Sequence, residues 1–247
     1  MALPRPRTSA RMHSIGFGFD SRTDDYKVVR IVYMPDDYPK VEIFSLSTGR
    51  WQNISHLGLK HIILRMAPQA FLNGAAHWLA DNGTEKSHLI VSFHMGDEVF
   101  GEIKVPDCIV NVDWLLGESL SLIHILDTGD KFICCIWVTK EYGMPESWTQ
   151  LFNFNLSGVL GNRVAGFTRN GEVLFGRKSG HVLAYDPEAK KVTPTHIHFR
   201  GSTDSWVRDS FYADVYTESL VLVTCKESPG VENQIEEAIE GEELLKD

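Results

Sequence analysis

Phe71-Leu-Asn-Gly-Ala-Ala-His-Trp-Leu79 sets a plan that the chain repeats: a small or turn residue, an apolar inner strand, then a second strand closing on an aromatic or apolar residue. The plan returns at Leu116-Gly-Glu-Ser-Leu-Ser-Leu-Ile123, Asn170-Gly-Glu-Val-Leu-Phe175 and Thr217-Glu-Ser-Leu-Val-Leu-Val223. With His77, Leu122, Phe175 and Leu222 as landmarks, successive copies lie 45, 53 and 47 residues apart. Strand chemistry at a period of about 45 to 50 residues is the signature of propeller blades. A propeller displays loops on a scaffold, so function is expected on its rims rather than in a buried catalytic box.

A second landmark supports the same architecture. Val41-Glu-Ile-Phe-Ser-Leu-Ser-Thr-Gly-Arg-Trp51 and His181-Val-Leu-Ala-Tyr-Asp-Pro-Glu-Ala-Lys-Lys-Val192 each run as an alternating strand into an aromatic, reverse through a polar turn, and leave along an outer strand. The alternation turns one face inward and the other outward. Proline presets the backbone of the Asp186-Pro-Glu turn, and the aspartate side chain is suited to bonding nearby backbone amides. These are the blade-edge hairpins expected of Kelch-like repeats.

Further segments follow in order: Ile15-Gly-Phe-Gly-Phe-Asp20, Asp25-Tyr-Lys-Val-Val-Arg30, Ile90-Val-Ser-Phe93 running on to Gly101-Glu-Ile-Lys-Val-Pro106, Trp137-Val-Thr-Lys-Glu-Tyr-Gly143 and Glu146-Ser-Trp-Thr-Gln-Leu151. With the hairpins above, this ordered set resembles the F-box-associated interaction domain (type 1, Kelch-like) of plant F-box proteins. The resemblance covers residues 13 to 225, and it implies an all-β, Kelch-like β-propeller, whole or partial, of four-stranded antiparallel blades. It divides the chain into an N-terminal extension (1–12), the interaction domain (13–226) and an acidic tail (227–247), disordered or partly helical. It further implies a protein-binding role: substrate recognition for an SCF-type E3 ubiquitin ligase, serving protein ubiquitination. No segment matches the F-box that binds the Skp adaptor and, through it, the cullin. The chain is therefore expected to bind a target protein of unknown identity and to reach the ligase only through an F-box it does not itself show.

Composition fits a globular β domain. The chain has 247 residues, of which 43% are hydrophobic and 23% charged, enough for a substantial core. Apolar runs such as Phe132-Ile-Cys-Cys-Ile-Trp-Val138 are strand-sized and too short to span a membrane. The N-terminus is rich in Arg and Pro with no apolar signal core, which makes the cytoplasm or nucleus the expected compartment. Cys108, Cys134, Cys135 and Cys225 lack metal-ligand spacing and read as reduced, mostly buried thiols. The net charge of -9 is concentrated beyond residue 225, where eight acids face two lysines. That stretch reads as a solvated extension. No basic stripe with interleaved aromatics exists, so neither nucleic acid nor membrane is expected as a partner.

Several constellations invite a chemical reading and fall short of one. Gly16-Phe-Gly18 lacks the third glycine and following helix of a nucleotide fingerprint and reads as a hairpin strand. His196 and His198 share a strand face but have no evident third ligand, so no metal is assigned. Asp20, Asp36, Asp37, Asp81, Asp113 and Asp186 stand at turns and read as solvated acids, with no pair marked for glycosidase work. No cofactor, catalytic residue or enzyme activity is assigned; the alternatives are a propeller enzyme such as a glycoside hydrolase, or a carbohydrate- or peptide-binding propeller unrelated to ubiquitin. Trp51, Trp78, Trp137 and Trp148 sit within the repeats and are expected to fill the gaps between blades. The least motif-like loops are 33–39, 56–65, 81–86 and 200–208. Tyr38, Arg65, Trp206 and Arg208 lie in them and are the residue types that dominate interface energetics, which makes them the candidate partner-binding residues.

Overall fold

A computed structural model of the chain describes residues 13–33, 38–64, 69–81, 88–109, 112–116, 120–127, 131–155, 163–168, 170–176 and 180–198. Within them lie four antiparallel sheets in a propeller arrangement, and no α-helix. The first blade is β1 (His13–Asp20), β2 (Asp25–Val32), β3 (Lys40–Ser45) and β4 (Arg50–Asn53). The second is β5 (Ile62–Ile63), β6 (Ala70–Leu72), β7 (Ala75–Asp81), β8 (His88–His94) and β9 (Val99–Lys104). The third is β10 (Val112–Leu116), β11 (Ser121–Asp127), β12 (Phe132–Thr139) and β13 (Trp148–Asn155). The fourth is β14 (Arg163–Phe167), β15 (Val173–Gly176), β16 (His181–Asp186) and β17 (Lys191–His198).

Each blade is a meander. The second departs from it only in its first strand, which is broken: β5 and β6 pair with opposite ends of β7. The three repeats at Phe71, Leu116 and Asn170 coincide with the first hairpins of the second, third and fourth blades. The Thr217 repeat and the acidic tail lie outside the described residues. At Asn73 and Gly74 the backbone takes φ of 51° and 73°, the two left-handed residues of a type I′ turn that matches the twist of its strands. In the outer hairpin of the fourth blade, the Asp186 carboxylate accepts the Glu188 and Ala189 amides at 2.9 and 3.0 Å, the role the Asp-Pro turn suggested.

Alternation places an apolar layer between each pair of successive blades. The first gathers Val29, Ile31, Val41 and Ile43 against Trp78, Val91 and Phe93; the second joins Leu79 and Ile90 to Leu122 and Trp148; the third joins Ile136 and Phe154 to Val173 and Phe175. Ala76, Trp78 and Ala80 therefore face the first blade, while Leu79, one residue out of phase, faces the third. This corrects one landmark. Leu122 and Phe175 face the preceding blade, whereas His77 is turned toward the third blade and touches Tyr142; the residue equivalent to Leu122 and Phe175 is Trp78. A slip of one residue exchanges the two faces of a strand.

The seam between the first two blades explains Gly16-Phe-Gly18. A Cβ at Gly16 would run into the Trp78 ring, and one at Gly18 into the Phe71 ring. The two glycines thus leave room for two aromatic rings from the next blade. Over that floor the Trp78 indole N–H donates to the Ile15 carbonyl at 3.1 Å. The Gln69 side-chain amide then bonds both backbone groups of Phe17, donating to its carbonyl at 2.8 Å and accepting from its N–H. Side chains of the second blade thereby satisfy backbone groups along the free edge of β1, which would otherwise be open to pairing.

Trp148 is buried as expected and Trp137 is partly buried against the same layer, but Trp51 lies on the outer strand β4 against Phe44 and is only partly buried. Cys134 and Cys135 are buried and Cys108 is exposed, all three as free thiols; Cys225 lies outside the described residues. Replacing Trp78 by Ala is expected to cost about 3–5 kcal/mol, through lost burial and the cavity left between blades. Gly18→Ala is expected to cost about 1–3 kcal/mol by overpacking against Phe71. Urea denaturation of the two variants checks both values, and a Gly18→Ala chain as stable as the parent would show that the aromatic contact is slack.

Candidate partner-binding rims

The strand order puts the β2–β3 loop and the crossover from β4 to β5 on one rim. Tyr38 stands there, 82% exposed. Beside it in the fold, residues 54–61 carry the chain from the outer edge of the first blade to the first strand of the second. The Ser55 hydroxyl pins this crossover, accepting the Val41 N–H at 3.0 Å, while the Ser55 N–H donates to the Asn53 side chain at 3.0 Å. A short 3-10 turn, Ser55–Leu57, follows and ends at left-handed Gly58. The Tyr33 hydroxyl takes the Ile63 N–H at 2.8 Å, and His61 meets Glu102 at 2.8 Å. These bonds hold a loop on rigid strands, the usual setting for a recognition surface. Ile62, 63% exposed, adds an apolar residue to that rim. The sequence placed it only within the loop 56–65; the pairing of β5 with β7 shows that Ile63 points in while Ile62 is exposed. Arg65, Trp206 and Arg208 lie outside the described residues, so of the four sequence candidates only Tyr38 is placed.

The opposite rim carries a charged seam between the first two blades. Asp20 is 2% exposed, which corrects its reading as a solvated turn acid. Its carboxylate meets the Lys27 ammonium at 3.0 Å and accepts the Thr23 hydroxyl at 2.8 Å and the Arg22 amide at 3.0 Å. Burial alone would raise the carboxyl, but these donors and the Lys27 charge hold it down at about 2. Lys27 in turn reaches across the seam to the Met95 carbonyl at 2.9 Å and Glu98 at 2.8 Å. Burial opposes its charge, but Glu98 and Asp20 raise its pKa on balance. Arg22 and Asp97 bridge the same blades at 2.7 Å.

Above this seam opens a polar groove of about 560 Å³ between the hairpin tips, lined by Asp25, Ser47, Thr48, Arg50, Gln52 and Glu98 among others. Its volume suits a ligand, but its carboxylates are committed. Asp25 accepts the Ser45 hydroxyl at 2.6 Å and the Ser47 amide at 2.8 Å, and Glu98 holds Lys27. Among the described residues no group of three His, Cys, Asp or Glu side chains is placed to hold a metal ion. His181 and His198 do face one another across strands, their rings 4.4 Å apart. No described helix is long and apolar enough to cross a membrane.

Residues 3–223 match the F-box associated beta propeller domain. The chain belongs to that family. Three curated relatives come from Arabidopsis thaliana. F-box protein CPR1 is 25% identical over 84% of this chain and 55% of its own length. F-box protein At3g07870 is 26% identical over 80% of this chain and 59% of its own length. F-box/kelch-repeat protein At3g23880 is 25% identical over 56% of this chain and 39% of its own length. The chain thus spans 55% and 59% of the length of the first two of these relatives. Among solved structures, the crystal structure of HIRA(644-1017) aligns over 78% of this chain and 56% of that one at 13% identity and a TM-score of 0.34, too little for any argument.

Between the second and third blades, His77 is buried and its Nε2 lies 2.6 Å from the Tyr142 hydroxyl, which tethers the loop after β12 to the neighbouring blade. Burial lowers the His77 pKa to about 4, so the folded domain holds the neutral ring. The unfolded chain binds a proton near 6.5 where the folded one does not, so stability is full above that pH and declines as pH falls from 6.5 toward 4. Asp20 acts lower down: its contribution is present above 3.8 and is lost as pH falls toward 2. Thermal midpoints across pH 4 to 7 should therefore fall less steeply for His77→Gln than for the parent chain, whatever the variant's absolute stability. Parallel pH profiles would show that His77 is not the group responsible.

Proposed function

We propose that this domain is the target-recognition module of an SCF-type E3 ubiquitin ligase. The observation that carries the reading is the match of residues 3–223 to the F-box associated beta propeller domain, in a chain whose curated relatives are named F-box proteins. In this reading the domain performs no chemistry. Its rim loops hold a target protein while an F-box in the longer protein binds the Skp adaptor and cullin, and ubiquitin transfer is favoured by effective concentration. The cytoplasm and nucleus are the compartments where such an assembly works.

The exposed Tyr38 and Ile62, on loops anchored by Ser55 and Tyr33, support the β2–β3 rim as the target-facing one. Exposed aromatic and apolar side chains on a fixed framework bind at low entropic cost. Arg65, Trp206 and Arg208 are assigned to target binding on their residue type and loop position alone. The reading is tested in two parts. Fused to an F-box, the domain should co-purify with the Skp adaptor, and the domain alone should not. A partner captured by the fusion should then bind Tyr38→Ala and Ile62→Ala about tenfold more weakly, roughly 1.4 kcal/mol, with the thermal midpoint unchanged. Robust adaptor binding by the unfused domain would contradict the division of labour. Equal partner affinity in both variants would remove this rim from the site.

A further inference from the structure

His181 and His198 meet on the outer hairpin of the fourth blade. They are direct partners in the pairing of β16 with β17, their ring centres lie 4.4 Å apart, and the ring planes cross at 71°. A regular antiparallel register would not put them there. Leu183 pairs with Pro194, and carrying that register outward would bring His181 opposite His196. The register shifts between the two pairings, so that Thr195, His196 and Ile197 of β17 stand against Val182 alone and His181 faces His198 instead. Bulges re-aim side chains in this way and are over-represented beside functional sites.

Both histidines are exposed, so burial does not account for their meeting. Among the described residues neither ring is hydrogen-bonded or ion-paired. Other imidazoles of the chain are engaged: His61 by Glu102, His77 by Tyr142 and His94 by Asp97. In the neutral ring one nitrogen carries a lone pair free to bind. At the end of this hairpin two such nitrogens stand within reach of one point in open solvent.

We propose that His181 and His198 form a chelating site for a divalent ion of the zinc, nickel and copper class. Imidazole suits these ions, whereas magnesium and calcium take oxygen ligands. A metal held by both rings sits about 2.0–2.1 Å from one nitrogen of each. Rings whose centres are 4.4 Å apart on exposed side chains reach that arrangement by side-chain rotation. The two strands fix the two ligands in advance, so little ordering is left to binding. Two imidazoles fill half of a tetrahedral shell, and His196 does not complete a group of three with them. The remaining positions are left to water or to a ligand brought by a partner. This inference is independent of the target-binding reading, since it rests on the fourth blade alone.

The test uses the full chain, kept reduced. Calorimetric titration with nickel chloride should show saturable binding, and magnesium chloride should show none. His181→Ala and His198→Ala should each weaken the nickel site by at least about tenfold. His56→Ala, at an exposed histidine of the first crossover, should leave it unchanged. A second readout needs no substitution: substoichiometric nickel, being paramagnetic, should broaden the imidazole resonances of His181 and His198 before those of the other histidines. Absence of saturable nickel binding, full retention of it in either variant, or broadening confined to other histidines would overturn the proposal and leave the pair as a ring contact alone.

Discussion

The Trp78 indole lies against the backbone of β1, and the position of the first blade against the second depends on that close approach. Two residues without side chains make it possible. The ring fills the space over Gly16, its N–H meets the Ile15 carbonyl, and Phe71 occupies the space over Gly18. An alanine at either glycine would hold the blades apart, and a smaller residue at 78 would leave a void at the centre of the first apolar layer. At the rim the same two blades are joined by polar groups: Lys27 enters from β2 and is shared among Asp20, Glu98 and the Met95 carbonyl. The apolar contact provides most of the burial, and the ionic one fixes the angle at which the hairpin tips meet.

From those two contacts follows the arrangement of the rims. The crossover from β4 to β5 spans exactly these blades, so its path is set by the seam beneath it. Ser55 and Tyr33 fasten it at two points, and His56, Lys60 and Ile62 remain exposed on it, with Tyr38 exposed on the neighbouring loop. The opposite rim is built of carboxylates and cations already satisfied by one another. The contrast is one of chemistry: the first rim carries exposed aromatic and apolar side chains, the opposite one paired charges.

Much of this was legible in the sequence. The repeats at Phe71, Leu116 and Asn170, the hairpins and the Asp186 turn depend on local rules, and each appears where those rules put it. What was not legible depends on partners far along the chain. Gly16-Phe-Gly18 read correctly as a strand, but its purpose lies more than fifty residues away in Phe71 and Trp78. Asp20 looked like any turn acid, because Lys27 becomes buried only when Glu98 and Met95 arrive from the next blade. His77 served as a landmark by its position after the turn, yet alternation turns it toward the third blade, and the true counterpart is its neighbour Trp78. Ile62 lay within the loop 56–65, and only the pairing of β5 with β7 shows which of Ile62 and Ile63 is exposed. Of the candidate site, Tyr38 was named from loop position and residue type, and the structure shows it exposed; the bonds that hold its rim are long-range and could not be read.

The direct test of the blade-to-blade account is a double-mutant cycle in urea denaturation, combining Gly16→Ala with Trp78→Ala. If the methyl at position 16 is costly because it strikes the Trp78 ring, removing the ring relieves it. The double variant should then lose at least about 1 kcal/mol less than the two single losses combined. Losses that add to within about 0.5 kcal/mol would mean that the two residues do not meet, and would contradict the account of how the first two blades are held together.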